Sequence, residues 1–282
     1  MHRIHPFDRC GLAPASDLQT PEWRTVFDHL ENVQAEFLAQ ESSFRSPDYP
    51  WPRDALHAWS RIWEYPYVYH HIRQWLNGRA ARPSPCVVDV GSGVTFFPFA
   101  VSQLGCRTVC TDIDPLCGKD LQRAIPMVPN GAGRVEFRLI QQQPLPMADG
   151  EADLVYCLSV LEHIPNFEAV IQDMHRALKP GGRLILTIDI SWRPDEAISA
   201  QRYADLRQAL DRYFVPALHE TSIHPANLLR SDQGPYRNLG ITGPGLPWFL
   251  IKQHIIKPLL GRPPRHRAPL LSVWGAVMDR RS

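Results

Sequence analysis

The sequence predicts an α/β fold, a mostly parallel sheet with helices on both faces, preceded by a helical cap. Three observations predict it. From about Pro85 onward, short apolar runs alternate with segments of helical period. The first of these runs ends in a glycine-rich turn, "VVDVGSGVTFF", from Val87 to Phe97. The 27 prolines are many for this length, which suggests looped, irregular segments around the ordered core.

The elements follow in order. In "TPEWRTVFDHLENVQAEFLAQES", Thr20 is the expected N-cap and Pro21 the first helical residue, with Trp23, Phe27, Leu30 and Phe37 near helical period. A Pro- and Ser-rich loop, "SSFRSPDYPWP", comes next. "DALHAWSRIWEYPYVYHHIRQWLNG" reads as two short helices broken near Pro66 and closed at Asn77-Gly78. Trp51, Trp59, Trp63, Tyr65, Tyr67, Tyr69 and Trp75 crowd this stretch, as a packed helical layer or, for one or two of them, an aromatic lid. "CVVDV", "RTVCTDI", "RVEFRLI", "ADLVYCLSV" and "RLILTIDI" read as five successive strands. The helices between them are "TFFPFAVSQLG", "DPLCGKDLQRAI" and "NFEAVIQDMHRALKPGG". Beyond lie a helix in "PDEAISAQRYADLRQALDRYF", an amphipathic helix in "PWFLIKQHIIKPLL" and a final apolar strand in "PLLSVWGAVMDR". Three parts are expected: a helical cap over 1–80, a ligand-binding core over 81–192, and a part over 193–282 that completes the sheet around a helical insertion.

Composition narrows the function. A net charge of +1 supplies no general attraction to nucleic acid or acidic lipid. No apolar run is long enough to span a bilayer, and the start lacks the apolar stretch of a signal peptide, so the cytoplasm is expected. Cys10, Cys86, Cys106, Cys110, Cys117 and Cys157 form no CxxC pair and read as small buried hydrophobes. His70 and His71 are adjacent, but no acidic or cysteine partner stands at ligand spacing nearby, so no metal is expected.

The turn after the first strand decides which ligand to expect. A dinucleotide turn needs GxGxxG, and Phe96 occupies its third glycine position; a Walker-type loop is absent. Asp89 immediately precedes the turn, where a carboxylate disfavours pyrophosphate and suits a ligand carrying positive charge.

With these residues the sequence resembles the class I methyltransferases that use S-adenosylmethionine (SAM). Asp89, Gly91 and Gly93 match that family's D/E-x-G-x-G-x-G motif, with Thr95 at the third glycine. "LPMADGEADLVYCLSVLEHI" and "MHRALKPGGRLILTI" are similar to further family segments, in the right order over roughly 85–190. The resemblance implies a Rossmann-like seven-stranded sheet and SAM as cofactor, with S-adenosylhomocysteine (SAH) as product. It places Asp89, Gly91, Ser92, Gly93 and Thr95 around the cofactor, with Ile113 and Leu158 beside it. Asp112, 23 residues after Asp89, would hold the ribose hydroxyls, since one carboxylate accepts two hydrogen bonds. Gln141 and Gln142 stand where the family often has an adenine-binding aspartate; a solvated polar loop is the other reading.

Two residues are candidates for catalysis. His163, after the fourth strand, would be a base for a hydroxyl or amine acceptor, or would only order its turn. Asp189, ending the fifth strand, would bind the acceptor, act as base, or cap the following segment. Trp63 and Tyr65 would face the sulfonium or pack in the core. The (D/N)PP(Y/F) signature of amino-methylating DNA enzymes is missing, and "SPC" at 84–86 precedes the first strand, so a small-molecule acceptor is expected and nucleic acid is not. "GRPPRHR" reads as a solvated loop. "PWFLIKQHIIKPLL" reads as a cap helix or homodimer surface, and less readily as a contact with a membrane or lipid-linked acceptor. The competing functions are a nicotinamide-dependent oxidoreductase and a non-catalytic SAM-binding protein.

Overall fold

The computed structural model describes residues 5–78, 84–141, 144–191, 200–232, 259 and 270–282. The amphipathic segment 247–260, apart from Leu259, lies outside them, as do "GRPPRHR", Gln142 and the start of the helix expected from Pro194.

The N-terminal part forms a two-residue strand β1 (Gly11–Leu12) and helices α1 (Pro21–Ala39), α2 (Glu41–Phe44) and α3 (Arg61–Asn77). As the sequence leads one to expect, the Thr20 hydroxyl accepts the Trp23 N–H at 3.2 Å and Pro21 begins α1. The stretch read as a loop opens with the single turn of α2.

A larger correction concerns Pro66. It lies inside one continuous helix, not between two. Proline has no N–H to give the carbonyl of Ile62 four residues earlier, and that loss ordinarily breaks a helix. Here the Trp23 indole N–H donates to the Ile62 carbonyl at 2.7 Å. A buried carbonyl left alone would cost about 1–3 kcal/mol. The replacement bond comes from another helix, so no local reading of α3 reveals it.

The core alternates strand and helix: β2 (Cys86–Val90), α4 (Phe97–Ser102), β3 (Arg107–Asp112), α5 (Pro115–Ala124), β4 (Arg134–Leu139), β5 (Ala152–Leu158), α6 (Phe167–Ala177), β6 (Leu178–Ser191). Helix α7 (Ala200–Tyr213), the short β7 (Phe214–Pro216) and β8 (Leu271–Arg280) complete the described chain. The sheet order is β1-β8-β6-β5-β2-β3-β4, with β7 also paired to β8. The pairs among β2 to β6 are parallel, and those made by β8 are antiparallel. The Rossmann-like, mostly parallel architecture is thus present. The two short strands β1 and β7 supply the pairing that no apolar run announced.

The fourth expected strand stops at Leu158 because Ser159 adopts a left-handed φ of 48°. The fifth begins earlier than expected, at Leu178, with an irregularity opposite Ala152–Leu154. All six cysteines are buried free thiols. Of the seven crowded aromatics only Trp51 is exposed, which favours the packed layer. Trp63 stacks on Tyr67 at 4.4 Å and donates its indole N–H to Asp17. Both rings lie over Gly275 of β8, where a Cβ would approach each to 2.9 Å. That close approach seats α3 on the sheet. None of the described helices is long and apolar enough to cross a membrane.

Candidate active site at the carboxyl ends of the parallel strands

Ligands of open parallel sheets bind beyond the carboxyl ends of the strands. In this chain those ends carry two groups of acids.

The first group is built on β2 and β3. Gly91 adopts φ 75°, and a Cβ there would lie 2.6 Å from the Val160 Cγ2, so glycine is required twice over. Gly91 and Ser92 donate their N–H groups to the Thr111 carbonyl at 2.9 and 3.1 Å, and the Thr111 hydroxyl donates to the Asp89 carbonyl at 2.8 Å. Gly93 donates its N–H to Asp112 Oδ2 at 2.9 Å, and Asp114 donates its own to Asp112 Oδ1 at the same distance. The turn and the tip of β3 are therefore one hydrogen-bonded unit. Asp112 stays half-buried, with lone pairs to spare for further donors. Beside it the Ile113 side chain is 76% exposed.

Ser92 is buried, its hydroxyl bonded to the Gly93 carbonyl at 3.2 Å, so its side chain faces inward. Thr95 is half-buried and hydrogen-bonds the Tyr65 hydroxyl. Phe96 turns into the core against Tyr65, leaving the outer face of the turn clear. Leu158 is half-buried at the end of β5, and Gln141 is exposed just past β4.

Asp89 requires a correction. The sequence suggests an ionised carboxylate beside the turn. Burial, reinforced by nearby Asp112, pushes its pKa up to about 8, against the opposing effects of the Tyr156 hydroxyl and Arg61. At neutral pH this acid holds its proton for most of the time, and it becomes anionic when a cation is placed against it.

A short N-terminal stretch also reaches this turn, and nothing in its local sequence marks it. The Val94 N–H donates to the Tyr49 hydroxyl and the Val94 carbonyl accepts from Arg45, both at 2.9 Å. Arg45 is buried, ion-paired through Nε to Glu41 at 2.6 Å and set over the Tyr49 ring at 4.4 Å. Its terminal Nη2 is buried without a hydrogen-bond partner.

The second acid group stands at the ends of β5 and β6. Glu64, fully buried on α3, accepts from the hydroxyls of Ser159 and Thr187 and pairs with Arg61. Glu162, in the turn after β5, accepts the Asp189 N–H at 3.0 Å through Oε1. Its other oxygen, Oε2, and Asp189 Oδ1 are both buried without a partner. Burial first, and Glu64 next, raise Asp189 to about 7; burial and Asp189 push Glu162 well above the carboxylate range. His163, next in the chain, is exposed, and its imidazole is shifted down by desolvation, Arg61 and Arg202.

The fold thus brings Asp89, Gly91, Gly93 and Asp112 into one cradle, and joins Asp189 to the turn that carries His163. Trp63 does not join them, being held against β8. His70 does have an acidic partner, contrary to the sequence reading: Asp8 meets its Nε2 at 2.9 Å from 62 residues away. His5, Asp8 and His70 offer ligand atoms within 4.8 Å of one another, but the His5 and His70 rings stack at 3.7 Å. Stacked rings direct their in-plane lone pairs side by side rather than toward a common point. With His71 Nε2 at 2.9 Å from the Phe7 carbonyl, the cluster acts as a tether for the N-terminal segment.

The parallel sheet, the glycine turn and the acid closing β3 belong to one α/β unit, of which residues 88–186 match the family model described as a methyltransferase domain. Over that stretch the chain is similar to methyltransferases. Among curated proteins, the ubiquinone biosynthesis O-methyltransferase of Pseudomonas paraeruginosa is 33% identical over 116 residues, 40% of this chain and 48% of that one. The tRNA U34 carboxymethyltransferase of Nautilia profundicola is 28% identical over 134 residues, 47% and 43% of the two chains. The chain thus spans about half the length of these curated relatives or less. Among solved structures, geranyl diphosphate methyltransferase in complex with SAM has a TM-score of 0.47 at 15% identity, covering 76% of this chain and 85% of that one.

Proposed function

We propose that this protein transfers the methyl group of SAM to a small-molecule acceptor. The observation that carries the reading is the bond from the Gly93 N–H to Asp112, which unites a glycine turn with an acid suited to ribose hydroxyls. The chemistry of the surrounding groups fits the cofactor. Asp112 takes the ribose, and the exposed Ile113 offers an apolar face to adenine, with Gln141 and Leu158 beside it. The backbone of Gly91, Ser92, Gly93 and Thr95 faces the amino-acid end. Asp89 meets positive charge there, and the unpartnered Nη2 of Arg45 suits the carboxylate.

Bound SAM supplies a sulfonium-activated methyl for in-line displacement. The protein's own task is to align the acceptor, exclude water and remove a proton. His163, with its lowered pKa, is neutral at pH 7 and can accept that proton; Asp189 is the alternative acceptor-side group. The relatives named above act on unlike acceptors, so the choice of a small molecule rests on the motifs and on the cap at 1–80 and the part at 193–282 as the acceptor-shaping segments. The methylated atom is taken as oxygen or nitrogen on a quinone-like, sugar or secondary-metabolite scaffold.

Calorimetric titration tests the reading. SAM and SAH bind at micromolar concentration, NAD and NADP do not, and Asp112→Ala weakens SAH roughly 10- to 100-fold through loss of charge-assisted bonds. Unchanged SAH affinity in that variant removes the ribose assignment, and preferential NAD binding removes the methyltransferase reading.

A further inference from the structure

We propose that the acceptor side of this site receives a cationic nitrogen, with Glu162 and Asp189 forming a receptor for an ammonium group on the acceptor. The proposal rests on the methyl-transfer reading above and specifies its substrate class.

Glu64, Glu162 and Asp189 converge at the ends of β5 and β6. Arg61 is the guanidinium paired within the group; it hydrogen-bonds Glu64, and its charge also reaches Asp189. Arg202 gives its Nη2 to main-chain carbonyls, those of Ile164 at 2.6 Å and Glu162 at 3.4 Å. Glu64 is satisfied by Arg61 and the hydroxyls of Ser159 and Thr187. Glu162 and Asp189 are not. Glu162 is 3% exposed, yet its Oε2 accepts nothing; Asp189 is half-buried and bonded by Ser159, but its Oδ1 atom is out of solvent and unpartnered.

Two orphaned carboxyl oxygens in one buried group are costly, and native proteins keep such groups where a ligand completes them. An ammonium has three donors and a positive charge, so it can satisfy both oxygens and offset the surplus acid. A neutral hydroxyl has one donor and leaves one oxygen unmatched. The group also lies beside the cofactor cradle: Val160, between Ser159 and Glu162, is the residue against which Gly91 packs.

The same carboxylates serve the reaction. The ammonium gives one proton to a carboxylate and recovers its lone pair. That pair forms the N–C bond while the S–C bonding pair leaves with sulfur, so a methylated ammonium and a neutral thioether result.

Sinefungin is the probe. In this analogue of SAM a carbon bearing an ammonium group replaces the methylated sulfonium, so it presents a cationic nitrogen at the transfer position. By calorimetry it is expected to bind the wild-type protein at least fivefold more tightly than SAH. Glu162→Gln and Asp189→Asn should each bring that ratio below two while SAH affinity stays within about twofold. A ratio near one in the wild type, or one unchanged by both substitutions, overturns the ammonium receptor and leaves the cofactor reading intact. Failure of SAH itself to bind overturns both. Should the variants not fold, the wild type answers alone: the sinefungin-to-SAH ratio rises from pH 6 to 8.5 if carboxyl ionisation governs it, and a flat ratio sinks the proposal.

Discussion

The two acid groups at the strand ends differ in how they are built and in how well they are satisfied. On the β2–β3 side, Asp112 sits 23 residues after Asp89, and both of its oxygens already accept backbone N–H groups. On the β5–β6 side, Glu64, Glu162 and Asp189 come from three distant segments, and two of their oxygens accept nothing. The first side is a rigid unit held by the main chain, whereas the second is side-chain chemistry awaiting a partner. On the proposed reading, the constant ligand belongs to the pre-bonded side and the selective one to the unsatisfied side.

The largest expected effect tests the rigid side. Gly91→Ala meets both the positive φ and the Val160 side chain, so SAH affinity should fall more than 100-fold. Adding Val160→Ala relieves the collision but not the backbone cost of roughly 1–2 kcal/mol, and should recover only part of that loss. Full recovery would show that φ is immaterial there.

An intermediate effect tests the unsatisfied side. Arg61→Ala removes the cation from among three carboxyl groups. Asp189 is raised to about 7 and Glu162 is raised further, so the folded chain holds protons that the unfolded chain has released. Their stability is full below the unfolded carboxyl range near pH 4 and is lost as pH climbs through 7. Without Arg61 that loss steepens. The variant should melt roughly 5 °C or more below wild type at pH 8, and by less than half that at pH 5. A pH-independent gap would mean that Arg61 contributes packing alone.

The smallest effect returns to Asp89. With its pKa raised to about 8, its burial is tolerated at low pH and costs stability as pH rises from about 4 to 8. Asp89→Asn should therefore melt a few degrees higher than wild type at pH 8 and near it at pH 4. Wild-type affinity for SAM should rise with pH through 8, and the asparagine variant should lose that slope. A melting temperature lower than wild type at pH 8 would remove the account of Asp89 as a strained, function-bearing acid.

Legibility in the sequence follows the same division. The helix start at Thr20-Pro21, the alternating core and the glycine turn are local patterns, and each stands where its residues put it. The run from Asp89 to Asp112 is readable because both acids border turns of neighbouring parallel strands. The continuity of helix α3 through Pro66 is not legible locally, because the bond that mends it comes from Trp23. Glu64 and Arg45 carried no signal, since nothing around them indicates that α3 and the stretch after α2 turn toward the strand ends. The ionisation of Asp89 was misjudged because burial is a property of the assembled sheet. His70 found its acid 62 residues away for the same reason.

The last strand illustrates one more product of assembly. On its outer side β8 is fastened along much of its length by β1, β7 and single bonds: Ala13 N–H to the Val273 carbonyl, Ala217 N–H to Val277, Ser231 N–H to Leu271. Among the described residues this flank leaves few open peptide groups on which an incoming polypeptide could template itself. Clipping the first dozen residues would bare part of that rim and leave the sheet prone to stack edge against edge.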